Sequence, residues 1–231
     1  MTAGRAEPYF SGMKIGVLGT GPVGQAIATR LAELGHDVTM GARDAANEKA
    51  AAWAREHGGS AGDFGQAAAG AELVVNATAG AHATGAVAQA DPGPGTVLLD
   101  VSNALDGNFP PGLTVPYGDS TAERLQRAHP DTRVVKALNT MNGDVMVHPE
   151  LVPGPHEVFV AGDDDAAKVT VTTLLRQVGW PAESVRDVGP LTAARGLEAA
   201  VLFWVTLRLA IGHNRFNFHV SEAQSGSAPS S

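Results

Sequence analysis

The chain has 231 residues, of which 44% are hydrophobic and 17% are charged, a balance typical of a folded domain with a substantial core. Its formal net charge of −8 at pH 7 argues against a general surface for nucleic acids or anionic membranes, because both need a basic face. The absence of cysteine excludes disulfides, thiolate metal sites and a cysteine nucleophile.

The ends of the chain and its longest apolar run bear on its location. Residues 1–12 lack the apolar stretch of a secretory signal and are expected to form a disordered lead-in. Residues 221–231 are of low complexity and are expected to form a disordered tail. The apolar residues 199–211 are too few to span a bilayer and include Arg208. We therefore expect a cytoplasmic protein with no nucleic-acid or membrane partner.

Short apolar runs alternate with helical patterns between residues 13 and 142. One helix is predicted to begin at Pro22, one to follow Asp44 as its N-cap, and one to start with a capping box of Ser120 and Glu123. Such alternation predicts an α/β fold with a parallel, doubly wound Rossmann sheet. The apolar runs predict strands at residues 13–18, 36–40, 71–78, 95–103 and 133–140.

The pattern changes after residue 142, and residues 143–220 are expected to form a small C-terminal α/β domain. A strand at residues 157–161 precedes three aspartates, residues 163–165, which we interpret as the start of a helix rather than a metal site. The eight histidines are scattered, so no metal site is predicted. The last helix, roughly residues 191–211, is apolar nearly all round in its second half. It must be buried in its own domain or against another subunit, and it favours a homodimer.

Three glycines, Gly19, Gly21 and Gly24, directly follow the first strand and open the first helix. In this context Gly19 makes the tight turn, Gly21 lets the backbone approach a pyrophosphate, and Gly24 lets the helix pack closely on the strand. The N–H groups at the start of the helix are available to phosphate oxygens. Residues 13–142 are therefore predicted to form a dinucleotide-binding domain.

The end of the second strand indicates which dinucleotide is bound. A free ribose 2′-hydroxyl is usually held by a carboxylate here, but residues 40–42 offer none and Arg43 follows them. A guanidinium suits a 2′-phosphate, Gly41 would leave space for that group, and Lys49 would add charge. The pattern favours NADP(H) over NAD(H). The alternative is that Arg43 is a solvated surface residue.

The candidates nearest the reacting ring lie at two other strand ends. Residues 76–83 end the strand at which the sheet is expected to reverse its order, which places Thr78 and Ala79 beneath the ribose and nicotinamide. Lys136 and Asn139 end a central strand and are the candidates to face the nicotinamide. Lys136 would serve as an acid or, equally well, as a solvated or structural lysine. The lack of a convincing acid–base set favours hydride transfer to a flavin-like ring, since transfer to a carbonyl also needs a proton donor.

Four segments carry a resemblance to a known family. They are "KIGVLGTGPVGQAIATRLAELGHDVTMGARD", "VVKALNTMNGDVM", "VFVAGDDDAAKVTVTTLLRQVGW" and "DVGPLTAARGLEAAVLFWVTL". Over most of residues 13–220 the chain resembles the F420-dependent NADP oxidoreductases. The resemblance implies an NADP(H)-binding Rossmann domain, a small C-terminal domain, and the deazaflavin coenzyme F420 as co-substrate in the cleft between them.

The resemblance also implies roles for single positions. It assigns the pyrophosphate to Gly19, Thr20, Gly21, Pro22 and Val23, the 2′-phosphate to Arg43, the nicotinamide end to Thr78 and Ala79, and the deazaflavin side to Asn139 and Thr140. The first hypothesis is therefore an oxidoreductase that moves a hydride between NADP(H) and F420. One alternative is an NADPH-dependent reductase of a flavin, a small carbonyl or an imine, in which Lys136 or a polar neighbour would be essential. Another is a non-catalytic protein that senses NADP(H).

Overall fold

The computed structural model describes residues 12–116 and 118–223. The segments expected to be disordered are residues 1–12 and 221–231. Most of them, namely residues 1–11 and 224–231, lies outside the described residues. Within the described residues, eight strands form one sheet in the order β3-β2-β1-β4-β5-β6-β7-β8. The strands are β1 Lys14–Leu18, β2 Asp37–Ala42, β3 Ser60–Asp63, β4 Leu73–Asn76, β5 Val97–Asp100, β6 Arg133–Ala137, β7 Val158–Gly162 and β8 Val185–Asp187.

Neighbouring strands run parallel everywhere except between β6 and β7, which are antiparallel. The chain builds outward from β1 first through β2 and β3, and then on the other side through β4, β5 and β6. This order confirms the predicted doubly wound Rossmann sheet. The order reverses between β1 and β4, which pair with Val17 opposite Val75.

Helices cover both faces of the sheet, and alternate strand residues face alternate layers. Val17, Val75 and Leu99 pack with α1, α6 and α7, whereas Leu18, Val74 and Leu98 pack with α3, α4 and α5. The helices are α1 Pro22–Glu33, α2 Glu48–His57, α3 Phe64–Ala68, α4 Gly80–Ala90, α5 Thr121–Ala128, α6 Gly143–Val147, α7 Asp165–Val178 and α8 Ala194–Ile211.

Most of the predicted helix starts are confirmed. Pro22 is the first residue of α1, and Ser120 caps α5 by accepting the Glu123 N–H at 3.1 Å. Asp164, the second of the three aspartates, caps α7. The predicted cap of α2 is wrong: Asn47, rather than Asp44, accepts the N–H groups that open this helix. The Asp44 carboxylate instead accepts the Ala46 N–H in the turn before it.

Strand β3 was not predicted. Its sequence, Ser-Ala-Gly-Asp, has no apolar run, and it lies at one edge of the sheet, where half of its residues are exposed. It is held by backbone pairing with β2 rather than by a buried apolar face.

The region predicted as a small C-terminal domain adds β7 and β8 to the same sheet. Strand β6 lies before the predicted boundary at residue 142 and pairs with β7 beyond it. Helix α7 packs in the core layer that also holds α1. The division of the chain at residue 142 stays a prediction.

The last helix begins at Ala194, after a 3-10 turn over Leu191–Ala193, and its two halves differ. Leu197, Glu198 and Val201 in the first half are buried. In the second half Phe203 and Leu209 are each 58% exposed. The second half of the helix is therefore not buried by the described residues of its own chain. The remaining prediction is that another subunit covers it.

Candidate functional site

The carboxyl ends of β1 and β4 lie side by side where the strand order reverses, and open α/β sheets bind ligands at such a point. The chain leaves β1 into α1 on one face of the sheet and leaves β4 into α4 on the other. A crevice therefore opens between the turn that follows Leu18 and the turn that follows Asn76.

The three glycines of the first turn are in the predicted arrangement. Gly19 has a φ of +117°, and a Cβ there would lie 2.8 Å from the carbonyl oxygen of Ala77. A Cβ on Gly24 would lie 2.1 Å from the carbonyl oxygen of Gly19, so a larger residue cannot fit. A Cβ on Gly21 would meet no atom within 4 Å. The backbone is thus packed tightly at Gly19 and Gly24, and open at Gly21, where the pyrophosphate is expected.

The start of α1 suits an anionic group. Gly21 is its N-cap, and no side chain caps the first N–H groups of the helix. Pro22 is exposed, and Thr20 and Val23 are half-buried beside it. The Thr20 carbonyl accepts a hydrogen bond from Gln25 Nε2 at 2.9 Å, which holds the turn in place. The residues present fit a pyrophosphate at the helix N-terminus.

Arg43 follows the last residue of β2 and is exposed, with no carboxylate of the described residues paired to it. The Gly19 N–H donates to the Gly41 carbonyl at 2.9 Å, so the end of β2 adjoins the glycine turn. Lys49 is exposed in the first turn of α2. A Cβ on Gly41 would lie 2.8 Å from Cβ of Ala67 in α3, so helix packing also requires a glycine here, and space for a 2′-phosphate stays a prediction.

Thr78 and Ala79 occupy the turn between β4 and α4. Thr78 Oγ1 donates to Asn76 Oδ1 at 2.7 Å, and Asn76 Nδ2 donates to Asp100 Oδ1 at 2.8 Å. Ala79 is exposed and is the N-cap of α4. The two residues follow Ala77, whose N–H donates to the Leu18 carbonyl at 2.9 Å and which therefore adjoins the glycine turn. Their role at the nicotinamide end stays a prediction.

Lys136 is completely buried, and its ammonium group is surrounded by protein acceptors. Its Nζ lies 2.8 Å from Asp100 Oδ2 and 3.1 Å from Glu198 Oε1, and it also donates to the Ser102 carbonyl. The Lys136 ammonium thus makes two hydrogen bonds and a further ion pair, all within the protein. The geometry supports the structural alternative for this lysine over the acid.

Asn139 and Thr140, just after β6, are also almost fully buried. Asn139 Nδ2 donates to Asn103 Oδ1 at 2.9 Å and to the Leu197 carbonyl at 2.8 Å. Asn103 Nδ2 donates in turn to the Asn139 carbonyl at 2.8 Å. Asn139 therefore joins the end of β6 to the loop after β5 and to α8.

The first residues of the loop after β5 pack closely against the start of α4. A Cβ on Gly80, the first residue of α4, would lie 2.0 Å from the carbonyl oxygen of Asn103. The loop extends to Ser120, the cap of α5, and carries Phe109, which is 70% exposed. A loop this long in a compact fold is usually functional.

Several polar residues of this region form hydrogen bonds that were not predicted from the sequence. Asn76 and Asp100 each end a buried strand, and their position was a usable signal. Glu198 lies within an apolar helical pattern, and nothing local to it indicates that its carboxylate accepts the Thr121 and Ala122 N–H groups at the start of α5. Among the described residues no cluster of three or more metal-ligating side chains is present.

Comparison with known proteins shows the family to which this chain belongs. Residues 14–104 match the family described as NADP oxidoreductase, coenzyme F420-dependent. A crystal structure from Arthrobacter sp. FB24, described as a candidate F420-dependent NADP-reductase, is 43% identical with a TM-score of 0.85, over 91% of this chain and 100% of that one. The chain belongs to the F420-dependent NADP oxidoreductase family. Members of this family are NADP-dependent oxidoreductases.

Two other kinds of protein are similar to this family member. Metalloreductase STEAP3 of Rattus norvegicus is 30% identical over 198 residues, which cover 85% of this chain and 38% of that protein. Metalloreductase STEAP2 of Homo sapiens is 27% identical, and the match covers 36% of it, so the chain spans little more than a third of either metalloreductase. A reductive aminase from Aspergillus terreus shares the fold, with 19% identity and a TM-score of 0.60 over 87% of this chain and 63% of that one. No helix among the described residues has the length and apolar character needed to cross a membrane.

Proposed function

We propose that this protein binds NADP(H) across the crevice between β1 and β4 and exchanges a hydride between the nicotinamide and the deazaflavin ring of coenzyme F420. The observation that carries the proposal is the glycine turn packed against Ala77, with the exposed Arg43 at the adjoining end of β2. The family match and the Arthrobacter relative support F420 as the co-substrate.

The proposed contacts follow the strand ends. Arg43 and Lys49 hold the 2′-phosphate, Thr78 and Ala79 hold the nicotinamide end, and Asn139 and Thr140 form the wall on the deazaflavin side. The pyrophosphate is held by the turn and the start of α1, namely Gly19, Thr20, Gly21, Pro22, Val23 and Gly24.

Hydride transfer between two planar rings places few demands on the protein. NADPH delivers a hydride when bound, and solvent supplies the proton that reduction of the deazaflavin also requires. The residues of the chain hold the two rings face to face and keep them at transfer distance. The burial of the Lys136 ammonium among protein acceptors agrees with a reaction that uses no acid from the protein.

A flavin is the second candidate acceptor, and the similarity to the metalloreductases favours it. A metal ion accepts single electrons, whereas NADPH gives up two as a hydride, so a carrier such as a flavin must stand between them. The carbonyl or imine alternative has less support, because it needs a proton donor at the site and the Lys136 ammonium is buried among Asp100, Ser102 and Glu198. A protein that only senses NADP(H) would bind it tightly and reduce no acceptor.

The second half of α8 supports a homodimer, because its exposed apolar side chains, including Phe203 and Leu209, would be covered by a second copy. The cytoplasmic location stays a prediction from the sequence.

Rapid mixing of the protein and NADPH with oxidised F420, or with FMN in a parallel experiment, tests the proposal. Loss of the deazaflavin absorbance, with matching oxidation of NADPH, is the expected result. Reduction of FMN alone would transfer the assignment to the flavin candidate. Tight NADPH binding with no reduction of either ring would favour the sensor.

A further inference from the structure

A continuous chain of buried hydrogen bonds runs from Lys136 to Thr78. The Lys136 ammonium donates to Asp100 Oδ2 at 2.8 Å, Asn76 Nδ2 donates to Asp100 Oδ1 at 2.8 Å, and Thr78 Oγ1 lies 2.7 Å from Asn76 Oδ1. Lys136, Asp100 and Asn76 are completely buried, while Thr78 is partly exposed at the crevice. The chain thus begins at a fixed charge and ends at the predicted nicotinamide position.

The Lys136 ammonium can only donate, and this determines the donor and the acceptor of every hydrogen bond in the chain. Asp100 faces only donors: its Oδ2 receives the ammonium group, and its Oδ1 also receives the N–H and the hydroxyl of Ser102, at 3.2 and 2.7 Å. It therefore acts as an acceptor alone, and Asn76 must turn its NH₂ group toward it. The amide oxygen of Asn76 then faces Thr78, and the Thr78 hydroxyl has to supply the proton of that bond.

The Thr78 hydroxyl consequently presents lone pairs, and no proton, to a ligand. Thr78 follows Ala77, whose N–H donates to the Leu18 carbonyl at 2.9 Å, directly before Gly19 of the dinucleotide turn. We propose that Thr78 accepts a hydrogen bond from the carboxamide NH₂ of the nicotinamide, and that Asn76, Asp100 and Lys136 are positioning residues that impose this polarity. The inference rests on the proposed NADP(H) site.

The proposal distinguishes ligands by what they donate. The acetylpyridine analogue of NADP⁺ carries a methyl ketone in place of the carboxamide, so it offers Thr78 no N–H. 2′-Phospho-ADP-ribose, which is the cofactor without its nicotinamide ring, reports on the rest of the site. A neutral hydrogen bond contributes about 1 kcal/mol, so the wild-type protein should bind NADP⁺ about fivefold more tightly than the analogue.

Equilibrium titration of these three probes against the full-length protein and four variants tests the inference. Thr78→Val should bind NADP⁺ and the analogue equally, while Thr78→Ser, which keeps the hydroxyl, should keep the preference. Asn76→Ala should reduce the preference, because the freed hydroxyl can rotate and donate to the ketone. Ser102→Ala is the matched control: it removes a different donor to Asp100 and should keep the preference.

The outcomes separate this inference from the proposed function. If 2′-phospho-ADP-ribose binds but Thr78→Val keeps the wild-type preference, the role of Thr78 is overturned and the NADP(H) site stands. The same holds if Asn76→Ala keeps the full preference, which overturns the positioning role. If 2′-phospho-ADP-ribose does not bind at all, the proposed function fails and this inference fails with it.

Discussion

Glu198 of α8 forms an ion pair with Lys136 of β6 at 3.1 Å, and the side chains of both residues are almost completely buried. The Leu197 carbonyl, next to it on the helix, accepts a hydrogen bond from Asn139 just beyond β6. Two successive residues of α8 thus anchor the helix to the end of one central strand. The buried charges of Lys136 and Glu198 therefore help to hold α8 against the end of β6.

Lys136→Met should destabilise the protein, because two buried carboxylates would lose their cation. Breaking a buried pair by removing one partner costs about 3–5 kcal/mol in the free energy of unfolding. Urea denaturation measures this, with the exposed Lys14→Met as the matched control, expected to change the value by less than about 0.5 kcal/mol. A stable Lys136→Met protein with no turnover would instead restore the acid role.

Arg43→Ala should weaken NADPH binding much more than NADH binding, since only NADPH carries the 2′-phosphate. Loss of a charge-assisted hydrogen bond of about 1.5–3 kcal/mol corresponds to a roughly tenfold to hundredfold loss of affinity. Fluorescence titration with both cofactors measures it. Arg55→Ala, at the other end of α2, is the control. Equal losses for the two cofactors would contradict the 2′-phosphate role.

Gly21→Ala and Gly24→Ala should affect different properties, although the two residues are close in sequence: the first should affect NADPH binding and the second stability. A Cβ at Gly21 meets no atom within 4 Å, so this variant should fold normally and lose NADPH binding because the methyl group occupies the pyrophosphate position. A Cβ at Gly24 would lie 2.1 Å from a backbone oxygen, so that variant should unfold at a lower temperature. Thermal melts with and without NADPH compare them. Normal NADPH binding by Gly21→Ala would argue against the proposed pyrophosphate position.

Asp119 should contribute stability that depends on pH. Burial acts to raise the pKa of Asp119, but hydrogen bonds from Arg124, Arg127 and the Ser120 N–H outweigh it and lower the pKa to about 2. Because this pKa is below the ordinary value of 3.8, the carboxylate stabilises the folded protein above about pH 4, and the effect is lost as the pH falls through about 2.

Asp119→Asn should therefore cost about 1 kcal/mol in the free energy of unfolding near neutral pH, and the difference from the wild type should shrink below about pH 4. Urea denaturation at a series of pH values measures the difference. The exposed Asp37→Asn is the control and should show little difference at any pH. A difference for Asp119→Asn that stays constant down to pH 3 would rule out the ionic contribution.

Leu209→Asp should convert the proposed dimer to a monomer, because it places a charge in the exposed apolar half of α8. Sedimentation at micromolar protein measures the mass. Val169→Asp, on the 65% exposed position of α7, is the matched control and should leave the dimer intact. A monomeric wild-type protein would end the dimer proposal.

The parts of the fold that sequence predicts well are those encoded within short stretches. The glycine turn, Pro22 and the caps of α5 and α7 each depend on residues a few positions apart. Strand β3 could not be predicted, because its pairing with β2 replaces the apolar pattern on which strand prediction rests. Asp44 was misplaced as a cap because Asn47, three residues on, competes for the same role.

The candidate site was predictable at its phosphate-binding end and less so at its reacting end. Gly19 and Arg43 lie next to strand ends whose meeting follows from the Rossmann topology. Lys136 could be placed at a strand end, but its partners Asp100 and Glu198 come from distant parts of the chain, so local patterns could not separate an acid from a buried ion pair.

The contact between Gly80 and Asn103 has a consequence for protein engineering. Because the backbone at the start of the loop after β5 packs closely against the start of α4, a change in the first residues of this loop should also disturb the turn that carries Thr78 and Ala79. Its outer part, around the exposed Phe109, has no such contact with Gly80. Exchange of that outer part between members of the family should therefore leave the turn after β4, and with it the proposed NADP(H) site, undisturbed.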